Sequence, residues 1–194
     1  VLQELVKNDI DLNVRSQNGQ TAAMMFCSNE KNKRNRQSKN ILSMIFASNA
    51  NIATRNSKGL DALSICLSAG NLTASKMLIE FGAPLTNRYK NGRSILQQAL
   101  DKMLEQKLDS QSMRDVFSLM FQQRIDVNTQ DDYGNTILHD AVANDLVAII
   151  PDLIKYGALG NVKNSNNQTA YDIAEKQGLS NQDLVWELND LRFQ

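Results

Sequence analysis

Apolar positions along this chain come in short bursts at helical spacing. Leu63, Cys66 and Leu67 fall at i, i+3 and i+4, as do Leu138, Ala141 and Val142. A second burst follows each after a brief polar break: Ala74, Met77 and Leu78 in one case, Ile150, Leu153 and Ile154 in the other. Between the pairs lie polar stretches rich in Gly and Asn, which turns favour. The pattern predicts paired short helices joined by turn-rich connectors. Thr21, Asp61, Ser94, Thr136 and Thr169 stand at the start of each pair, where a side-chain oxygen can take a free helix N–H. Gly82 and Gly157 fall just past a second helix, where a left-handed residue ends it. Pro151 lies inside an expected second helix, which therefore either starts near it or kinks there.

The pairs recur. Gly19-Gln20-Thr21, Gly59-Leu60-Asp61, Gly92-Arg93-Ser94, Gly134-Asn135-Thr136 and Asn167-Gln168-Thr169 each open a helical burst, at offsets of 40, 33, 42 and 33 residues. The segment ends NDIDLN, SNANIA, FGAPLT, QRIDVN and YGALGN close at residues 13, 53, 86, 128 and 161, with the same four offsets. Two landmarks thus share a period of 33, interrupted by insertions of 7 and 9 residues. A single helix pair cannot cover its own apolar stripes; stacking on neighbours completes the core.

This arrangement resembles the ankyrin repeat, whose pattern runs D-x-x-G-x-T-P-L-H-x-A-A-x-x-G, then an apolar helix, then G-A-x-x-N. The best match is Asp131–Asn161, with DYGNTILHDAVAND and LIKYGALGN; Gly59–Thr86 is next. The Pro of T-P-L-H is replaced everywhere, by Ala22, Ala62, Ile95, Ile137 and Ala170, and its His stands only at His139. The resemblance implies an all-α solenoid of stacked helix-turn-helix units with short β-hairpin-like connectors. The expected division is a partial repeat at 1–14, repeats at 15–54, 55–87, 88–129 and 130–162, and a C-terminal capping repeat at 163–194. The closing helix is expected over Asn181–Phe193, with Leu184, Val185, Leu188 and Leu191 on one face beside Trp186. Because helical patterning is already under way at VLQELV, the chain is expected to continue from a larger protein.

The resemblance also implies that His139 braces its turn through both ring nitrogens. Met24, Ser64, Gln97 and Asp172 occupy the same position in the sibling units, so a catalytic reading of His139 has little support. The sequence offers no phosphate loop, H-E-x-x-H or C-x-x-C motif, and one His with two distant thiols makes no ordinary zinc site. No enzyme activity, cofactor or metal is expected. Cys27 and Cys66 sit among apolar neighbours and are expected to be reduced core thiols of an intracellular protein. Formal net charge is zero, so no global field draws the chain to nucleic acid or an anionic membrane. No apolar run is long enough to cross a bilayer.

By position, the hairpin tips are Arg15–Asn18, Arg55–Lys58, Arg88–Asn91, Gln130–Tyr133 and Lys163–Asn166. Ankyrin-like arrays bind other proteins through such tips and through the concave face lined by first helices. A basic-then-acidic stripe with two tyrosines is expected to contact a partner: Arg55, Lys58, Arg88, Tyr89, Lys90, Asp131, Asp132 and Tyr133. The pair Asp131-Asp132 reads first as solvated charge at a tip. The insertion within Asn29–Lys39 holds five basic residues and one acid and reads as a mobile loop. It lacks the aromatics that would stack bases, so nucleic acid is not expected as a partner. The insertion within Asp101–Arg114 predicts a longer first helix and then a turn near Asp109–Ser112.

These readings converge on a non-catalytic protein-interaction module within a larger intracellular protein, with a composition that would suit a bacterial effector acting in a host cytosol. The alternative is a regulatory or substrate-docking arm of an enzyme whose catalytic domain lies outside this chain. Neither the partner nor the oligomeric state is written in the sequence.

Overall fold

A computed structural model describes residues 11–33, 38–48, 50–178 and 182–191. The described residues form helices and turns with no strands. Packing divides the chain into two units: Val1–Leu85 with Asp101–Lys107, and Thr86–Leu100 with Leu108–Gln194.

The first unit holds two helix pairs. Helix α1 (Ala22–Ser28) is followed by a short 3₁₀ turn and α2 (Ser38–Ala47); α3 (Ala62–Ser68) is followed by α4 (Leu72–Glu80). First helix packs on first helix, α1 on α3, and second on second, α2 on α4. The apolar stripe read from the sequence is what this stacking buries: Leu63, Cys66, Leu67, Ala74, Met77 and Leu78 are all buried. In the second unit, α6 (Ser110–Gln122), α7 (Ile137–Ala143), α8 (Ile150–Lys155), α9 (Ala170–Gln177) and α10 (Gln182–Leu191) follow the same plan, and α7 stacks on α9. Leu188 of α10 is fully buried; the side chains of Leu184 and Trp186 lie outside the described residues, as does the expected helix before Asp11.

The start signals act as read. Thr21 and Asp61 accept from the N–H groups of Met24 and Ser64, at 3.5 and 2.8 Å. Ser94 Oγ accepts from Gln97 N–H at 3.3 Å, and Thr169 Oγ1 from Asp172 N–H at 3.2 Å. Pro151 sits in the first turn of α8, where its missing N–H costs nothing, so the helix begins there and does not kink. In the 101–114 insertion, α5 (Ile95–Glu105) runs to 11 residues where α1, α3 and α7 have 7. The turn comes three residues earlier than expected, because Asp109 caps α6 and accepts from Ser112 N–H at 2.9 Å.

Two expectations are corrected. Cys27 and Cys66 are not separate thiols: they form a disulfide with Cα atoms 4.7 Å apart. Stacking α1 on α3 brings the two positions face to face, a closeness that neither local sequence announces. The described part of the basic insertion is ordered as well. Glu30–Lys33 makes a 3₁₀ turn, and Asn32 Nδ2 donates to the Phe26 carbonyl at 2.9 Å, tying the turn to α1. Residues 34–37 lie outside the described residues.

Candidate functional site

The five connectors adopt one turn. In each, the N–H of Ser16, Asn56, Tyr89, Asp131 or Asn164 donates to the carbonyl four residues on, at 2.9 Å in every case. The residue three further on returns a bond to that first carbonyl, and Gly19, Gly59, Gly92 and Gly134 occupy this place at φ 68 to 74°, with Asn167 at 60°. A side-chain oxygen holds the turn from inside. Asn56 Oδ1 accepts from Lys58 and Leu60 N–H, Asn164 Oδ1 from Asn166 and Gln168 N–H, and Asp131 Oδ1 from Tyr133 and Asn135 N–H, all at 2.8–3.0 Å.

Consecutive tips are then sewn together. Ser57 N–H donates to the Asn18 carbonyl in the first unit; Asp132 N–H to Asn91 and Ser165 N–H to Tyr133 in the second. The approach is so close that a Cβ on Gly134 would stand 3.0 Å from Asn164 Cα and Ser165 N. A longer side chain adds a second stitch. Arg15 Nη2 reaches the Arg55 carbonyl at 2.6 Å. Arg88 Nη1 bonds the carbonyls of Gly92 and Gln130, at 2.8 and 2.6 Å. Gln130 Nε2 bonds those of Gly134 and Lys163, at 2.7 and 3.1 Å.

Behind the tips of the second unit lies a polar network. Arg93 Nη1 pairs with Asp131 Oδ2 at 3.3 Å and with Asp140 Oδ2 at 3.0 Å. Gln97 Nε2 donates to Asp140 Oδ2 and to the Asn135 carbonyl, both at 2.9 Å, while its Oε1 accepts from Ser94 N–H at 3.1 Å. Burial pushes the Asp140 carboxyl above its ordinary value, and Arg93 beside it pulls the other way. One repeat on, His139 repeats the Gln97 arrangement. Its Nδ1 accepts from Thr136 N–H at 3.2 Å, and its Nε2 faces the Gln168 carbonyl at 3.1 Å. With Nδ1 accepting, Nε2 carries the hydrogen and the ring is neutral. Burial lowers its pKa, against the pull of that carbonyl. His139 thus braces within and between repeats, as the resemblance implied. Alongside it, Asp140, Lys176 and Gln177 line a groove of about 440 Å³ between α7 and α9.

The eight candidate contact residues separate in this light. Arg55 and Lys58 belong to the first unit, the other six to the second. Lys58, Arg88, Lys90, Asp132 and Tyr133 are exposed, and Tyr133 retains 58% of its surface. Arg55 and Tyr89 are half-buried. Asp131 is not solvated charge: it is buried, with one oxygen holding its own turn and the other facing Arg93. Its partner lies 38 residues earlier, so nothing local announces the pair. Arg88 is exposed yet engaged as a stitch. Gln97, which stands at the His139 position of its repeat, imitates the histidine with an amide, a role its residue type does not announce.

This geometry has relatives. A family model described as "Ankyrin repeats (many copies)" matches residues 122–174. The crystal structure of the ankyrin repeat domain of Bcl-3, a unique member of the IkappaB protein family, has a TM-score of 0.70 at 26% identity, covering 89% of this chain and 71% of that one. Residues 122–174 thus carry the ankyrin-repeat pattern, and the fold is that of ankyrin repeat domains. The B-cell lymphoma 3 protein homolog of Mus musculus is 26% identical over 138 residues, 71% of this chain. That stretch is 29% of the mouse protein, so the ankyrin-repeat chain spans under a third of this relative's length. A chain in the structure of the Bd0816 predatory endopeptidase from Bdellovibrio bacteriovorus in complex with immunity protein Bd3460 has a TM-score of 0.69. It covers 97% of this chain and 89% of its own at 23% identity, a likeness of fold. Ankyrin repeats are in general non-catalytic domains that bind other proteins, and the match supports that class of role here.

Proposed function

We propose that this ankyrin array is a non-enzymatic docking module that grips a partner protein chiefly through the tips of its second unit. The observation that carries this reading is the placement of Tyr133. Its carbonyl is tied down by Ser165 N–H while its ring stays exposed, beside exposed Asp132 and in a row of stitched tips that also carries Lys90 and Lys163. A backbone fixed before binding loses little entropy on docking, and an exposed tyrosine between opposite charges suits an interface anchor. The groove at Asp140, Lys176 and Gln177 extends the contact onto the first helices. Membership in a larger protein, as an effector or as the docking arm of an enzyme, is compatible with this role and is decided outside these residues.

Affinity capture with the intact chain tests the reading when paired with a Tyr133→Ala, Asp132→Lys double variant. Both changes keep the backbone bonds of the tip. A partner retained by the wild-type chain is expected to be lost by the variant at unchanged circular dichroism. Equal recovery would place the contact elsewhere.

A further inference from the structure

The second helices of the second unit carry a cationic aromatic groove that the hairpin tips do not explain. Near the end of α6, Phe121 stacks on Tyr156, with ring centroids 4.6 Å apart and planes at 28°. The first unit contains a counterpart: Phe46 and Phe81, with centroids at 4.7 Å, each 75 residues earlier. The aromatic couple is therefore a packing device between second helices of consecutive repeats. Its surroundings differ. Glu80 precedes Phe81, whereas Lys155 precedes Tyr156, with Nζ 5.8 Å from that ring's centroid, within cation–π reach.

Arg124 is the second difference. It stands where two other repeats have Gly82 and Gly157, and it adopts their left-handed backbone, at φ 55°. A residue with a Cβ is sterically disfavoured in that conformation. Its N–H donates to the Phe121 carbonyl at 2.9 Å, but its side chain is exposed and makes no hydrogen bond or ion pair with any described residue. Strain kept at an uncompensated surface position points to use by something outside the chain. Arg124, Ile125, Phe121 and Tyr156 line a groove of about 470 Å³. Nearby acids are already engaged: Asp126 accepts from Asn128 N–H and Thr129 Oγ1, and Asp152 pairs with Arg114 at 2.9 Å.

We propose that this groove docks an acidic linear segment of a partner protein, with an apolar side chain on the exposed Tyr156 ring, which buried Phe121 backs, and carboxylates on Arg124 and Lys155. An aromatic floor under two cations complements that chemistry and repels a basic segment. This surface uses other residues than the tips, so either can fail alone.

Fluorescence anisotropy with the intact chain tests it. The probe is a short labelled peptide of glutamate and serine around one phenylalanine; its controls are the same peptide with lysine for glutamate, and phosphatidylserine-containing vesicles. Saturable binding of the acidic peptide alone is expected, weakened about tenfold or more by Arg124→Gly and by Lys155→Glu. Arg124→Gly restores the residue that suits the backbone, so its fold is expected to be at least as stable, and Tyr133→Ala is expected to leave peptide binding unchanged. The proposal is overturned if the acidic peptide does not bind saturably, if the lysine peptide binds as well, if only the vesicles bind, or if Arg124→Gly binds like the wild type.

Discussion

His139 Nε2 lies 3.1 Å from the carbonyl oxygen of Gln168, and this contact joins one repeat to the next. The same bond is made one repeat earlier by an amide, Gln97 Nε2 to the Asn135 carbonyl at 2.9 Å. Both side chains also accept the N–H of the residue that opens their helix. Glutamine and histidine are thus interchangeable here, provided each presents an acceptor inward and a donor onward. His139→Gln is expected to stay within about 1 kcal/mol of the wild type, whereas His139→Ala leaves the buried Thr136 N–H unpaired and costs about 1–3 kcal/mol. Urea denaturation of the three proteins checks this.

The same residue makes stability depend on pH. Burial holds the folded-state pKa of His139 below its ordinary 6.5. The unfolded chain therefore binds the proton first as pH falls. The contribution of neutral His139 is complete above pH 6.5 and is lost progressively as pH drops through the folded value. Asp140 acts in the opposite sense: its raised pKa favours the folded chain as its carboxyl is protonated. Denaturation midpoints at pH 8 and about 5.5 are expected to fall further in the wild type than in His139→Gln, which keeps Asp140.

A disulfide between α1 and α3 predicts a protein without free thiols. Intact mass after alkylation without reductant is expected to show no label, and full labelling follows unfolding with reductant. Replacing both cysteines by alanine is expected to lower stability by about 2–4 kcal/mol, since the crosslink closes a loop of 39 residues. Disulfides persist in oxidising compartments. Recovery of two reduced thiols from an oxidising compartment would contradict this pairing.

The stitched tips predict unequal costs for glycines of similar backbone. Gly134 and Gly82 both have positive φ, at 74 and 80°. Alanine at Gly82 meets nothing within 4 Å, so only the backbone cost of about 1–2 kcal/mol applies. Alanine at Gly134 must also push Asn164 and Ser165 away, breaking the Ser165–Tyr133 bond. Thermal unfolding is expected to rank Gly134→Ala clearly below Gly82→Ala.

What the sequence made legible follows from where the information lies. The period, the caps at Thr21 through Thr169 and the turn glycines are set by backbone needs within a few residues, so spacing alone reveals them. Pro151 left two courses open, a start or a kink, and the helix takes the start, where the first turn tolerates proline. Long-range pairings stayed hidden. Asp131 looked like tip charge until Arg93 arrived from the preceding repeat, and Cys27 and Cys66 looked like inert core residues until α1 met α3. Arg88 looked like a free cation, although its guanidinium spans to the next tip.

Amide hydrogen exchange on the array with and without its captured partner tests the central claim most directly. The account predicts new protection concentrated in the tips at Arg88–Asn91, Gln130–Tyr133 and Lys163–Asn166, and along α7 and α9. Protection absent from all three tips, with the partner bound, would contradict it.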